Sequence, residues 1–115
     1  MHSDKDISRV KINRTQPIPL IRGGDIEATP IGAWRGGGLT ITAVRIRNLS
    51  DQIIPIVNKR NAIEANGSRF IALNTDLRGH WLAVTAQHHY LGAAGGKDDR
   101  TSVYLISSRA LMESL

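Results

Sequence analysis

Residues 77–108 read LRGHWLAVTAQHHYLGAAGGKDDRTSVYLISS, two apolar runs on either side of a stretch of glycines and aspartates. The runs Trp81–His88 and Thr101–Ser107 carry Trp81, Leu82, Val84, Val103, Tyr104, Leu105 and Ile106 on both parities. That pattern predicts central strands buried on both faces. Between them, Leu91–Arg100 reads as an exposed loop with Asp98 and Asp99 solvated. Strand, glycine loop and strand is the pattern that recurs along the chain and indicates the fold class.

Working outward, helix signals are almost missing. Runs rich in Ile, Val, Thr and Leu recur between turn clusters at Arg22-Gly23-Gly24-Asp25, Gly36-Gly37-Gly38, Asn48-Leu49-Ser50-Asp51, Asn66-Gly67-Ser68 and Gly95-Gly96-Lys97-Asp98. Short strands at such spacing predict an all-β fold, a small antiparallel β-sandwich or partly open barrel. Leu39–Asn48, LTITAVRIRN, is the clearest strand. Its apolar residues change parity between Ile41 and Val44, which predicts a β-bulge near Ala43; the simpler alternative is a strand buried on both sides. Pro17, Pro19, Pro30 and Pro55 cannot donate to a central ladder, so the N-terminal segments and Ile53–Val57 are expected at edges or in connections. Asn66-Gly67 is a type I′ hairpin signal. Residues 108–115 predict a short C-terminal helix capped by Ser107 or Ser108. Residues 1–8 are expected to be disordered, and 9–115 to form one domain.

The totals bound the function. At 115 residues the chain is one domain, able to bury a modest core. It has no cysteine, which removes disulfides and thiolate metal sites. No apolar run approaches a membrane span, so the chain as written reads as soluble. The net charge is +5, and residues 1–60 hold ten Lys/Arg against five Asp/Glu while residues 61–115 balance at five and five. A basic half raises nucleic acid as a partner, through Arg35, Arg45, Arg47, Lys59 and Arg60. The plainer account is a solvated sheet face, since Arg45 and Arg47 alternate along a strand and no nucleic-acid motif accompanies them.

Residues that suggest chemistry have structural explanations. Adjacent His88 and His89 point to opposite faces of a strand, and His80 lies eight residues from His88, on the order of 27 Å along an extended chain. They do not converge on a metal ion. Neither G-x-S-x-G, H-E-x-x-H nor a phosphate-binding loop occurs, and Gly36-Gly37-Gly38 reads as a turn before the next strand. Trp34 and Trp81 suit core or interface anchoring better than sugar or base stacking. The residues therefore favour a non-enzymatic β domain without metal, cofactor or small-molecule substrate.

A more specific signal lies in the order of phrases from residue 39 to 107: LTITAVRIRNLSD, then DLRGHW, then LGAAG, then DRTSVYLIS. This order resembles the C-terminal region of the TraK-like proteins of integrating conjugative elements, components of the outer-membrane core of type IV secretion systems. The residues that carry the resemblance are Val44, Ile46, Asn48, Leu49, Asp76, Leu77, Gly79, Trp81, Leu91, Ala94, Gly95, Asp99, Thr101, Tyr104, Leu105 and Ser107. It covers somewhat more than half of the chain. The resemblance implies a periplasmic location at the outer membrane, no cofactor, and assembly into a ring. It also implies pairing with a small outer-membrane lipoprotein and a channel-spanning subunit, and that these residues are the C-terminal domain of a longer exported protein.

Physical roles follow for the motif residues. Asp76-Leu77-Arg78-Gly79 is expected to make a tight turn that needs a glycine and delivers Trp81 into the sheet. Trp81 and Tyr104 are expected to anchor the two layers, and Asp99-Arg100-Thr101 to begin the last strand. Between Asn48 and Asp76 the sequence is longer than the resemblance predicts, so an added hairpin or lobe is expected there. Its apolar Ile53, Ile54, Ile56, Val57, Ile63 and Phe70 are the candidate partner interface.

Overall fold

A computed structural model describes residues 7–58 and 69–115. The fold is an all-β sandwich of two sheets rather than a closed barrel. Its elements are β1 (Ser8–Arg9), β2 (Ile26–Gly36), β3 (Leu39–Asn48), β4 (Ile54–Val57), β5 (Ile71–Ala72), β6 (Ala83–Ala86), β7 (Tyr90–Leu91), β8 (Arg100–Ser107) and α1 (Leu111–Ser114). The larger sheet has the order β1-β2-β3-β8-β6 and the smaller β5-β4-β7. Pairing is antiparallel throughout the larger sheet, whereas β4 and β5 run parallel in the smaller one.

The hairpin β2–β3 turns on Gly37 and Gly38, both at positive φ, as a two-residue connection between right-twisted strands requires. Across it lies a bulge, but not where the parity of β3 suggests. β3 runs in unbroken register with β8 from Thr40 opposite Ser107 to Arg47 opposite Arg100. The extra residue is Ile31 of β2, between Pro30 opposite Val44 and Gly32 opposite Ala43. The inward face of β3 is Thr40, Thr42, Val44, Ile46 and Asn48, so the strand puts two threonines inside while Leu39 and Ile41 stay exposed. Pro30 is tolerated inside β2 because the bulge breaks the ladder there.

The core lies between the sheets. Ile26, Ala28, Val44, Ile46, Val103 and Leu105 of the larger sheet meet Ile54, Ile56, Ile71 and Leu91 of the smaller, with Leu20, Leu77 and Leu111 closing the ends. Three expectations are corrected by this packing. The described part of the 49–75 stretch supplies β4 and β5, and β4, despite Pro55, is the middle strand of the second layer and not an edge or connection; the hairpin or lobe expected in this stretch falls on 59–68, outside the described residues. The run Trp81–His88 is a strand only over 83–86 and lies at the edge of its sheet. On β8, Val103 and Leu105 face the core, which turns Tyr104 outward, so Tyr104 does not anchor the two layers.

The chain ends refine two further points. Ser8 pairs with Arg35, so ordered pairing begins one residue earlier than expected. The C-terminal helix is present, but Ala110 occupies its N-cap without a side-chain bond, and Ser107 Oγ donates to the Arg109 carbonyl instead. The Asn66-Gly67 hairpin signal, Ile63, Lys59 and Arg60 lie outside the described residues.

Candidate functional site

The motif residues gather into two clusters that hold the sandwich together. In the first, Asn48 is fully buried at the end of β3. Its Nδ2 donates to the carbonyls of Gln52 (2.6 Å) and Gly92 (2.9 Å), and its Oδ1 accepts from Ser50 N–H (2.9 Å) and Ser50 Oγ (2.7 Å). All four hydrogen-bonding capacities of the amide are used. Because Gln52 leads into β4 and Gly92 follows β7, one side chain ties the larger sheet to two strands of the smaller. The main-chain N–H of Asn48 also donates to the Asp99 carbonyl at 2.7 Å.

Asp99 closes the adjoining loop. It is buried, against the expectation of a solvated loop aspartate, and accepts from Gly95 N–H (3.2 Å) and Arg100 Nε (3.0 Å). The Arg100 hydrogen bond holds its carboxyl below the ordinary aspartate value. Asp98, by contrast, is exposed.

The second cluster clamps the C-terminus. Asp76 Oδ2 accepts from Ala72 N–H at 2.7 Å, Arg78 N–H donates to Leu20 O, and buried Leu77 bridges to Ile21. Gly79 then takes φ +108°, and the next residue, His80, donates its N–H to Ser114 O at 2.8 Å. Trp81 packs half-buried against the core with Nε1 donating to Arg78 O at 2.8 Å. Asp76, Leu77, Gly79 and Trp81 thus act together around the turn that needs a glycine, but Trp81 precedes β6 and is not delivered into the sheet as expected.

A third contact carried no sequence signal. Arg69 grips Asp25 through Nε to Oδ2 (2.8 Å) and Nη2 to Oδ1 (3.1 Å), and donates Nη1 to Phe70 O. Arg69 and Asp25 lie 44 residues apart, with no local pattern to pair them. The Arg69 hydrogen bond draws the Asp25 pKa down, against the opposing effect of burial. A carboxyl with a folded pKa below its unfolded one contributes stability above the unfolded value and loses it as pH falls through the folded one. Asp25 and Asp99 act in the same direction, so the urea midpoint is expected to fall below about pH 4. Asp25→Asn should lower stability by about 1 kcal/mol at neutral pH and flatten that acid limb. An unchanged limb in the variant would remove Asp25 from the account.

The remaining candidates do not converge. Ile54, Ile56 and Phe70 are buried in the chain's own core and Val57 is half-buried, leaving Ile53 as the one exposed member among those described. The candidate interface is therefore corrected: these residues build the second layer. The basic residues are also split. Arg35 pairs with Thr40 and shares the inward face, whereas Arg45 and Arg47 point outward, and Arg47 is engaged with Glu27 at 3.3 Å. The outward face of Trp34 is occupied by Arg9, 5.9 Å from the ring centroid. His88 Nδ1 contacts Thr101 Oγ1 at 3.0 Å, and His89 serves through its carbonyl, which accepts from Ile56 N–H. Among the described residues no group of three or more His, Asp or Glu is arranged to hold a metal ion. No helix among them is long and apolar enough to cross a membrane.

One surface is open. Gln87 N–H donates to Ser102 O, so by antiparallel alternation Ala83 and Thr85 also bond to β8. The main-chain groups of Val84 and Ala86 then point away from the sheet, and no strand among the described residues pairs with them. Alongside lies a hollow of about 370 Å³ lined in part by Leu73, Leu77, Trp81 and Val84. The sequence AVTA carries neither charge nor proline to protect this edge.

A family model described as Protein of unknown function (DUF3438) matches residues 1–115. The chain belongs to the DUF3438 family. No curated protein matches it. The match spans both motif clusters and the β6 edge of this DUF3438 chain.

Proposed function

We propose that this chain is a non-enzymatic assembly module of a conjugative type IV secretion system. In this reading it is a periplasmic β-sandwich that joins an outer-membrane core ring by protein–protein contact. The observation that carries the reading is the unpaired edge of β6. An extended segment laid along Val84 and Ala86 gains main-chain hydrogen bonds, and its alternate side chains enter the hollow between Leu73, Leu77 and Trp81. The ordered motifs shared with TraK-like proteins support the partner class: a small outer-membrane lipoprotein or a channel-spanning subunit offering such a segment. The motif clusters around Asn48 and Gly79 keep the sandwich rigid behind that edge.

The test is co-purification of the tagged full reading frame from detergent-solubilised envelope of its host, with and without Ala86→Pro. Proline at 86 removes an outward N–H and spares the bonds to β8, so the fold is expected to change by less than about 1 kcal/mol. Recovery of a lipoprotein and a larger channel subunit with the parent chain, and at least tenfold less with the variant, is the expected result. A cytosolic protein carrying nuclease-sensitive nucleic acid would overturn the reading. Equal recovery with the variant would move the contact away from β6.

A further inference from the structure

The inward face of the larger sheet extends past the smaller sheet that covers it. Beyond Val44 it continues through Thr42 and Thr40 of β3 and through Ala33 and Arg35 of β2. Here the cover is the segment 10–19 together with residues 110–112, and it leaves a cavity of about 490 Å³. That is within the range of about 300–1,000 Å³ typical of small-molecule sites.

The lining has a definite chemistry. Ile12, Ile18, Pro30, Ala33 and Met112 make it largely apolar. Its charged members are Lys11 and Arg35, with no carboxylate among them, and neither is ion-paired within the described residues. Thr40 is 2% exposed, lines the cavity, and has a hydroxyl without a hydrogen-bond partner. Thr42, next on the same face, has the same unmet hydroxyl. Buried hydroxyls are ordinarily satisfied, so an unpartnered one on a cavity wall marks where a polar group belongs. Arg35 and Thr40 are direct cross-strand partners on the inward face, so an exposed arginine and a buried, unpartnered hydroxyl are rooted side by side at one end of an apolar slot.

We propose that this cavity binds a single-chain amphiphilic anion, a fatty carboxylate. The carboxylate accepts from Arg35 and Thr40 with Lys11 nearby, and the chain lies against Ile12, Ile18 and Met112. Arg supplies paired N–H donors matched to a carboxylate, while each buried methylene adds affinity. This site is separate from the β6 edge and does not depend on the assembly reading.

The experiment is calorimetric titration of the purified chain with dodecanoate below its micellar concentration. One saturable site is expected, weakened at least fivefold by Arg35→Gln and by Thr40→Val. Thr40→Val removes a hydroxyl that bonds to nothing in the free protein, so its thermal unfolding should match or exceed the parent's and separate lost binding from lost fold. Dodecanol and dodecyltrimethylammonium should each bind at least tenfold more weakly. Absence of saturable heat, equal affinity in both variants, or equal affinity for the cationic analogue would overturn the proposal. So would a concentration-dependent dimer in sedimentation that Met112→Lys dissolves, which would assign the cavity to a second copy of the chain.

Discussion

Replacing Asn48 by alanine is expected to destabilise the domain by about 3 kcal/mol, one of the two largest losses predicted for a single side chain here. The truncation leaves the Gln52 and Gly92 carbonyls without their donor, and the Ser50 amide and hydroxyl without their acceptor. Each buried group left unpaired costs about 1–3 kcal/mol, and partial access of water around half-buried Ser50 and exposed Gln52 keeps the sum near the lower end. For a domain of this size the melting temperature should fall by roughly 10–15 °C. Asn48→Asp distinguishes hydrogen bonding from shape: it keeps the volume and the acceptor but loses both donors and buries a charge, so it should be at least as damaging. Urea unfolding of the three proteins decides the matter. A loss below 1 kcal/mol for Asn48→Ala would show that the two sheets are held by apolar contact alone.

Why such a residue was legible, while others were not, follows from how far its information reaches. Asn48 ends a strand and precedes Ser50, an arrangement whose turn chemistry is local, and Gly79 and Asp76 sit within one turn of each other. Glycines at a turn likewise needed no partner to be read, whereas Thr101–Ser107, read as buried on both faces, alternates in the folded chain with Tyr104 outward. The failures are non-local. Whether β3 presents Leu39 and Ile41 or Thr40 and Thr42 to the core depended on a bulge in β2, which an isolated strand cannot reveal. Pro30 argued against the strand that contains it because the bulge was invisible. The apolar run Ile53–Val57 suggested an interface, since apolar residues meant for a partner and those meant for a second sheet have the same composition. Arg35 and Arg45 alternate alike in sequence, yet the same bulge sends them to opposite faces. The open edge of β6 and the cavity beside Thr40 are properties of the assembled sheets, and no residue pattern announces them.

Gly79→Ala should be as severe as the loss of Asn48, by a different route. At φ +108° a side chain is strained whatever surrounds it, at about 1–3 kcal/mol. In addition, an added Cβ would stand 2.6 Å from the Ser114 carbonyl oxygen and 2.8 Å from the Trp81 ring. The first neighbour is main chain and cannot swing aside without breaking the His80 N–H to Ser114 bond that fastens α1. The substitution is therefore expected to cost about 3–4 kcal/mol, to release the C-terminal residues 111–115, and to shift Trp81 fluorescence toward the solvated range. Gly95→Ala is the matched control: its φ is +90° but no atom lies within 4 Å of the added Cβ, so only the backbone strain of about 1–2 kcal/mol applies. The difference between the two variants in urea unfolding measures the steric part. If they prove equally destabilising, the close approach of Ser114 contributes nothing, and the clamp between the Asp76–Trp81 turn and the C-terminus is not a source of stability. If Gly79→Ala alone frees the C-terminus, one methyl group separates a closed sandwich from one whose Leu111 no longer seals the core.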